Sequence, residues 1–343
     1  MKNQKNNQNK FTFIDLFAGI GGFRLALEAF GGKCVFSSEW NKDSQKTYSL
    51  NFKETPSGDI TKIKENEIPS HNVLCAGFPC QAFSISGKML GFNDTRGTLF
   101  FDVARIVKFH KPEVLFLENV KNLVKHDGGK TIEVIKNTLD SLGYDVNLKV
   151  LKSSDFGIPQ ARERVYIVAF RKELKITDFS YPTPIQSHKI VKDILEKNEV
   201  VDPKCFINRE DIVISKDEKN VKDPRKPLQI GKINKGGQGE RIYSIYATGI
   251  TLSAYGGGAA SKTGAYYIDK KIRKLTPREC ARLQGFPENY TLPQNRNIAY
   301  KQFGDSVSVP VLMEIFDKIT KAYPNINSKI KKDIEKPYQL KLT

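Results

Sequence analysis

FIDLFAGIGGFRLAL, residues 13–27, holds three structural instructions in one segment. The apolar run FIDLF has the unbroken hydrophobicity of a strand buried on both faces. Ala18-Gly19-Ile20-Gly21-Gly22 then makes a tight turn in which missing side chains let a ligand approach the backbone. The helical pattern GGFRLALEAF follows. Strand, glycine turn and helix in that order open a doubly wound α/β sheet, although alone they also suit an ordinary strand–helix turn.

Outward from this segment the rhythm repeats. CVFSSEW (34–40), VLCAGF (73–78) and VLFLENV (114–120) read as further buried strands of a mostly parallel sheet. SQKTYSLNF (44–52), LFFDVARIVKF (99–109) and TIEVIKNTLDSLG (131–143) carry helical periodicity between them. The rhythm stops near Tyr181-Pro182-Thr183-Pro184. Residues 1–188 are therefore expected to form a catalytic and cofactor-binding domain of Rossmann-like kind. Residues 189–275, polar and β-like with two glycine-rich loops, are expected to form a smaller domain. A helix is expected at Pro277–Gln284, within a hinge at 276–303, and another at Val307–Lys321 returns to the first domain within 304–343. The polar N-terminal stretch MKNQKNNQNK reads as a lead-in and lacks the apolar segment of a secretory signal.

Composition narrows the classes. A hydrophobic content of 39% supports a real core. No apolar run approaches the roughly 18 residues of a membrane span. The five cysteines form no C-x-x-C pair and the four histidines are scattered, which argues against both a metal site and a disulfide framework. A cytoplasmic location and a monomer are expected. The formal charge is +17, from 55 basic and 38 acidic side chains. That surplus favours a polyanionic partner. Only 13 of the 55 are Arg, so compositional drift toward Lys is an equal account.

The cofactor reading begins at the glycine turn. Glu39 closes the second strand, where a carboxylate accepts from ribose hydroxyls. Trp40 follows, placed to stack on a base or to pack in the core. The dinucleotide fingerprint lacks its last glycine, so a nucleoside without phosphates, such as S-adenosylmethionine, fits better than NAD. Asp59 and Ile60 would flank the adenine.

The chemistry centres on Gly77-Phe78-Pro79-Cys80-Gln81. Most cysteines are inert and buried. Cys80 instead lies just past a parallel strand, at the ligand edge, followed by a polar stretch, which suits a nucleophile. Amine-methylating enzymes of this fold class carry Asp or Asn and two prolines here, because amines need no covalent help. C5 of cytosine is not nucleophilic until something adds at C6. Glu118 ends the next strand and would donate to N3 if its pKa is raised, the alternative being a solvated strand-end carboxylate. Arg162 and Arg164 precede another strand. If that strand is antiparallel, both reach the same edge and Arg164 can hold O2; a surface pair with Glu163 is the competing account.

Together FIDLFAGIGGFRLAL, GFPCQAFSISGK, ENV, QARERVYIV, RKLTPRECARLQGFP and AYKQFGDSVSVPVL resemble the cytosine-C5 DNA methyltransferase family, in family order and over nearly the whole chain. The resemblance implies Cys80 as nucleophile, Glu118 as N3 partner, and Arg162 and Arg164 as supports. It implies cofactor contacts from Phe17, Gly19, Ile20, Gly21, Gly22, Glu39, Trp40, Asp59, Ile60, Gly77, Pro79, Leu99, Asp305, Ser306 and Val307. Asp305 departs from the pattern, since the family usually has Asn there. The base is expected to flip from its stack to be reached.

KGGQGERIYS, TLSAYGGG and RGTLFFD are similar to a GCGC-methylating branch of the family, with the inner cytosine modified. The partner is then double-stranded DNA, with a cognate restriction endonuclease sharing the target. Arg241 would pair with guanine O6 and N7, and Gln238 would fill the gap left by the flipped base, with Ser86 approaching opposite. Further DNA contacts are implied for Gln81, Ser84, Lys88, Arg96, Gly236, Gly239, Glu240, Thr251, Ser253, Tyr255, Gly256 and Gly257. The family's tRNA-acting branch shares PCQ and ENV, but the variable domain, with its KGGQG loop, argues against it. A non-enzymatic DNA-binding module has no use for Cys80, Glu118 and Arg164 together, and an oxidoreductase leaves Pro79-Cys80-Gln81 unexplained.

Overall fold

The computed structural model describes residues 11–79, 99–185 and 188–327. The first half alternates β1 (Phe11–Leu16), α1 (Gly22–Glu28), β2 (Gly32–Ser38), α2 (Lys42–Phe52), β3 (Val73–Ala76), α3 (Leu99–His110), β4 (Val114–Val120), α4 (Lys130–Ser141), β5 (Tyr144–Lys152) and β6 (Glu163–Arg171). Its strands form one sheet in the order β2-β1-β3-β4-β6-β5. The first four are mutually parallel, while β6 runs antiparallel to both neighbours. The expected doubly wound, mostly parallel sheet is present.

Side-chain alternation sorts the two faces. Phe13, Val73, Cys75 and Phe116 join one buried cluster with Phe23 and Leu27 of α1. Ile14, Leu74, Ala76, Leu115 and Leu117 join the other, with α3 and α4. Burial on both sides is why these strands read as continuous apolar runs. No such run marks β5, an edge strand whose YDVNLKVLK is half exposed.

The second half holds β7 (Ile212–Ile214), β8 (Gln229–Ile233), β9 (Arg241–Ser244), β10 (Ala265–Ile268) and β11 (Lys271–Lys274), ordered β11-β10-β9-β8-β7. This smaller sheet is antiparallel except where β10 pairs parallel with β9. Ile230, Ile233, Ile242, Ala265 and Ile272 make its own small core.

The chain then returns through α5 (Pro277–Gln284), α6 (Arg296–Asp305) and α7 (Val309–Ala322). Thr276 and Glu279 form a capping box at the start of α5, with Pro277 in the first turn. The last helix begins at Val309, two residues later than the apolar pattern suggests, and packs against α1. Cys280, Leu283, Phe286, Phe303 and Ile315 belong to the same buried cluster as β1 and β3. Among the described residues no helix is long and apolar enough to cross a membrane.

Candidate active site

β1 passes to β2 on one side and, by a crossover, to β3 on the other. Ligands of doubly wound sheets sit beyond the strands' carboxyl ends at such a switch point. A cleft of about 600 Å³ opens there. Every proposed cofactor residue except Gly21 lines it, as do Glu118, Arg162 and Arg164. Gly21 serves the turn instead: φ is +83°, and a Cβ there would lie 2.3 Å from the Phe52 ring. The neighbouring Gly19 faces open space, with nothing within 4 Å of where a Cβ would be.

Glu39 lies just past β2 and is buried. Its Oε2 accepts the Gly19 amide at 2.8 Å and its Oε1 the Asn41 amide at 2.7 Å. Burial raises its pKa, and these two amides oppose the rise. Asn41 also caps α2 by accepting from the Ser44 amide. Trp40 is 75% exposed and lines the cleft, so core packing is not its role. Asp59 accepts from the amide and hydroxyl of Thr61, which fixes the turn beside Ile60.

Glu118 is buried at the end of β4. Its Oε1 lies 3.2 Å from Arg164 Nε. Burial pushes its pKa up, and Arg164 and Arg162 pull it back. The antiparallel β6 delivers this contact by placing Arg164 opposite Val120. Glu163, the competing partner, pairs with Lys121 at 2.9 Å instead.

Arg162 is a buried strut. Its guanidinium donates to the carbonyls of Gly304 and Ser306, which seats the 304–307 wall. Burial first, and then the Arg164 charge, bring its pKa down to about 10. Val307 packs against Gly22, where a Cβ would come within 2.4 Å of its Cγ2. Asp305 pairs with Lys301 at 2.8 Å.

Asn119 lines the cleft and was not singled out by the pattern of residue types. Its Nδ2 donates to the Phe78 carbonyl at 2.7 Å and its Oδ1 accepts the Val120 amide. It pins the peptide that runs through Pro79 into Cys80. The ENV motif was its only signal. Cys80, Gln81, Ser84, Ser86, Lys88 and Arg96 lie outside the described residues. The other four cysteines, Cys34, Cys75, Cys205 and Cys280, are buried. Burial pushes the Cys34 thiol up to about 12 and raises those of Cys75 and Cys280 well above the ordinary value.

The two glycine loops of the smaller sheet press together. The Gly239 carbonyl accepts the Ala260 amide at 2.8 Å, and a Cβ on Gly239 would lie 1.9 Å from the Gly257 carbonyl oxygen. Gln238 and Arg241 are exposed beside this contact, with Gly256 and Gly257, while Gly236 is half-buried. Glu240 is engaged within its own loop, accepting from Asn234 Nδ2 at 2.9 Å and the Gly237 amide at 3.0 Å. Two more predicted DNA contacts also have protein partners. Thr251 donates its hydroxyl to the Ala161 carbonyl and Ser253 to the Tyr255 carbonyl. Tyr255 is 71% exposed and lines the cofactor cleft, 5.1 Å from Lys301 Nζ. Sequence spacing does not reveal that reach between the two sheets.

Fold and cleft together define a nucleoside-binding α/β enzyme carrying a second, loop-bearing sheet. Comparison with known proteins gives the family. Residues 11–321 match C-5 cytosine-specific DNA methylase. The type II methyltransferase M.HhaI of Haemophilus parahaemolyticus is 54% identical over 303 residues, 88% of this chain and 92% of that protein. The type II methyltransferase M.HpaII of Haemophilus parainfluenzae is 44% identical over 344 residues, 94% and 92% of the two chains. Among solved structures, the Schizosaccharomyces pombe ("S. pombe") Dnmt2 methyltransferase superposes with a TM-score of 0.68 at 19% identity, covering 91% of this chain and 98% of that one, a likeness of fold. The chain belongs to the C-5 cytosine-specific DNA methylase family and is a DNA (cytosine-5)-methyltransferase. That family uses S-adenosylmethionine.

Proposed function

We propose that this chain flips a cytosine out of duplex DNA and methylates its C5, and that its target is GCGC with the inner cytosine modified. One observation carries the chemistry. A buried carboxyl of raised pKa, Glu118, meets Arg164 at 3.2 Å, one strand from the peptide leading into Cys80.

The cleft residues fit S-adenosylmethionine. Gly19 leaves bare backbone beside open space. Both Glu39 oxygens are held by amides yet keep lone pairs for two ribose hydroxyls. Trp40 offers an exposed ring to the adenine, with Phe17, Asp59, Ile60, Pro79, Leu99 and residues 305–307 as the remaining walls. Bound there, the cofactor supplies a methyl carbon activated by positive sulfur.

The protein does the rest. The Cys80 thiolate bonds to C6, and the displaced electron pair moves through C4 to N3, where it takes the Glu118 proton. Arg164 holds the carboxyl and O2 as negative charge spreads over the ring. C5 is now nucleophilic and takes the methyl, while N3 returns its proton to Glu118. A water or nearby side chain removes the C5 proton. Those electrons restore the C5–C6 double bond and expel the sulfur. Among the described residues, the other four cysteines are all buried. Gln238 and Arg241, exposed beside the paired glycine loops, are suited to fill the vacated stack and read a guanine.

A duplex bearing 5-fluorocytosine at the target tests this, because fluorine at C5 blocks the final elimination. With cofactor, the chain should form a denaturant-stable adduct with this duplex, and Cys80→Ser should form none. No adduct in the parent protein sinks the mechanism. Bisulfite sequencing of plasmid from expressing cells tests the target, and methylation confined to a site other than GCGC overturns that part.

A further inference from the structure

Between β7 and β8 lies an excursion, residues 215–228, that the methyl-transfer site does not use. It is held at several points. Ser244 Oγ donates to the Glu218 carbonyl at 2.5 Å, and the Thr248 amide and hydroxyl donate to the Pro224 carbonyl at 2.8 and 2.9 Å. Lys152 Nζ donates to the Arg225 carbonyl at 2.7 Å. Lys152 ends β5 opposite Glu163, the residue before Arg164. The excursion therefore stands at the same sheet edge as Glu118 and Arg164. Three strand spacings, from β3 across β4 and β6 to β5, amount to about 14 Å.

Its charges are sorted. Lys216, Lys219, Lys222, Arg225 and Lys226 are all exposed. Two of the three interleaved carboxylates are used by the loop itself. Asp217 accepts the Lys219 amide at 2.9 Å and Asp223 the Arg225 amide at 3.0 Å. The second Asp223 oxygen lies 3.4 Å from Lys226 Nζ. Lys192 joins the patch, since its ammonium and that of Lys219 sit 5.3 and 5.9 Å from the Tyr246 ring centre. Five outward cations against three carboxylates, two of them tied to loop amides, leave a net positive ridge beside the cleft.

We propose that residues 216–226 are a clamp on the sugar–phosphate backbone of the DNA duplex, gripping it to one side of the target cytosine. At ~3.4 Å per base pair, the clamp lies roughly four to six base pairs from the flipped base. The clamp rests on the proposed function for the identity of the polyanion, and extends it to a contact that positions without reading sequence. It also explains why the ridge is tied by Lys152 to the catalytic sheet as well as by Ser244 to the smaller one.

Equilibrium binding to a duplex of about 30 base pairs, across about 50 to 200 mM salt, tests the clamp. The protein is compared with a Lys216→Gln, Lys222→Gln, Arg225→Gln variant. Each lost phosphate contact lowers the slope of log affinity against log salt by about 0.9, so a decrease of about two to three is expected, with affinity down at least roughly tenfold at low salt. The deficit should appear on any sequence and vanish when the duplex is trimmed close to the target on one flank, but not on the other. A charge-keeping variant, Lys216→Arg, Lys222→Arg, Arg225→Lys, should bind as the parent does. An unchanged salt slope in the Gln variant overturns the clamp, and so does a deficit that survives trimming of each flank in turn. Binding is the readout, so a chain that grips duplex yet makes no 5-methylcytosine would remove the catalytic mechanism and leave the clamp in place.

Discussion

In the proposed mechanism Glu118 keeps a proton while the Cys80 thiol gives one up. Burial favours the first condition by raising the carboxyl's pKa, and the two arginines oppose the rise. Methyl transfer that needs protonated Glu118 declines as pH climbs through that raised pKa. Glu118→Gln should cut the methylation rate by roughly 10²–10⁴ and remove that alkaline fall, leaving only the rising limb of the thiol. A variant that retains the alkaline fall would assign it to another group. A second buried carboxyl, Asp15, has no hydrogen-bond partner for either oxygen among the described residues. Burial pushes its pKa from 3.8 to about 8, against the pull of Arg24. Between those values the folded chain binds the extra proton, so stability is full below about 3.8, falls as pH rises and levels above about 8. Asp15→Asn abolishes that fall. Its stability advantage should grow from pH 5 to pH 8 by on the order of a few kcal/mol, as read by urea unfolding. A constant difference across the range would place the proton elsewhere.

At the scale of elements, α5 is the joint between the two sheets. Glu279 takes a bidentate pair from Arg273 of β11 at 2.7 Å each, and both side chains are fully buried. The same carboxylate accepts the Thr276 amide and, from the connecting segment, the Glu196 amide. Gln160, also buried, donates to the Leu283 carbonyl and accepts the Leu252 amide, tying the entry to β6 to α5 and to the second glycine loop. Removing one partner of a buried ion pair strands the other. Glu279→Ala should therefore cost about 3–5 kcal/mol in urea unfolding, and Glu279→Gln, which keeps one acceptor oxygen but not the counter-charge, should recover only part of that loss. A loss under about 1 kcal/mol for the Ala variant would mean that solvent or another acceptor rescues Arg273. The capping box was readable from TPRE, but its second use, as counter-charge to a distant strand, was not.

Across the whole molecule, the +17 charge has a geography that composition alone conceals. Cations of the β7–β8 excursion and the exposed Arg241 lie on the side of the smaller sheet, while the cleft itself presents Glu39, Asp59, Glu118 and Asp305 beside Arg162, Arg164 and Lys301. One edge of the parallel sheet thus carries a polar, partly acidic cavity and, for the proposed clamp, a basic ridge toward the DNA. The cores are arranged to match. The largest buried cluster runs from β1 through α5, α6 and α7 into Tyr243, Ile245 and Tyr266, so the smaller sheet is anchored to the catalytic one by packing as well as by polar ties.

Residues 13–27, PCQ, ENV and the paired arginines were legible because their meaning is local. A strand buried on both faces must be an apolar run, a turn admitting a ligand must be glycine-rich, and a C5 methylation needs a nucleophile with no substitute among amine-transfer motifs. The fold of the catalytic sheet and the identity of its chemistry follow from that. Tertiary structure alone decided the rest. It turned β6 antiparallel so that Arg164 meets Glu118 while Glu163 meets Lys121; exposed Trp40 to the cleft; engaged Glu240 with Asn234; and paired β9 with β10 in parallel across the second glycine loop. Each of these joins residues far apart in the chain through pairing, burial and charge, and no periodicity in a single segment encodes which distant partner will fill the space.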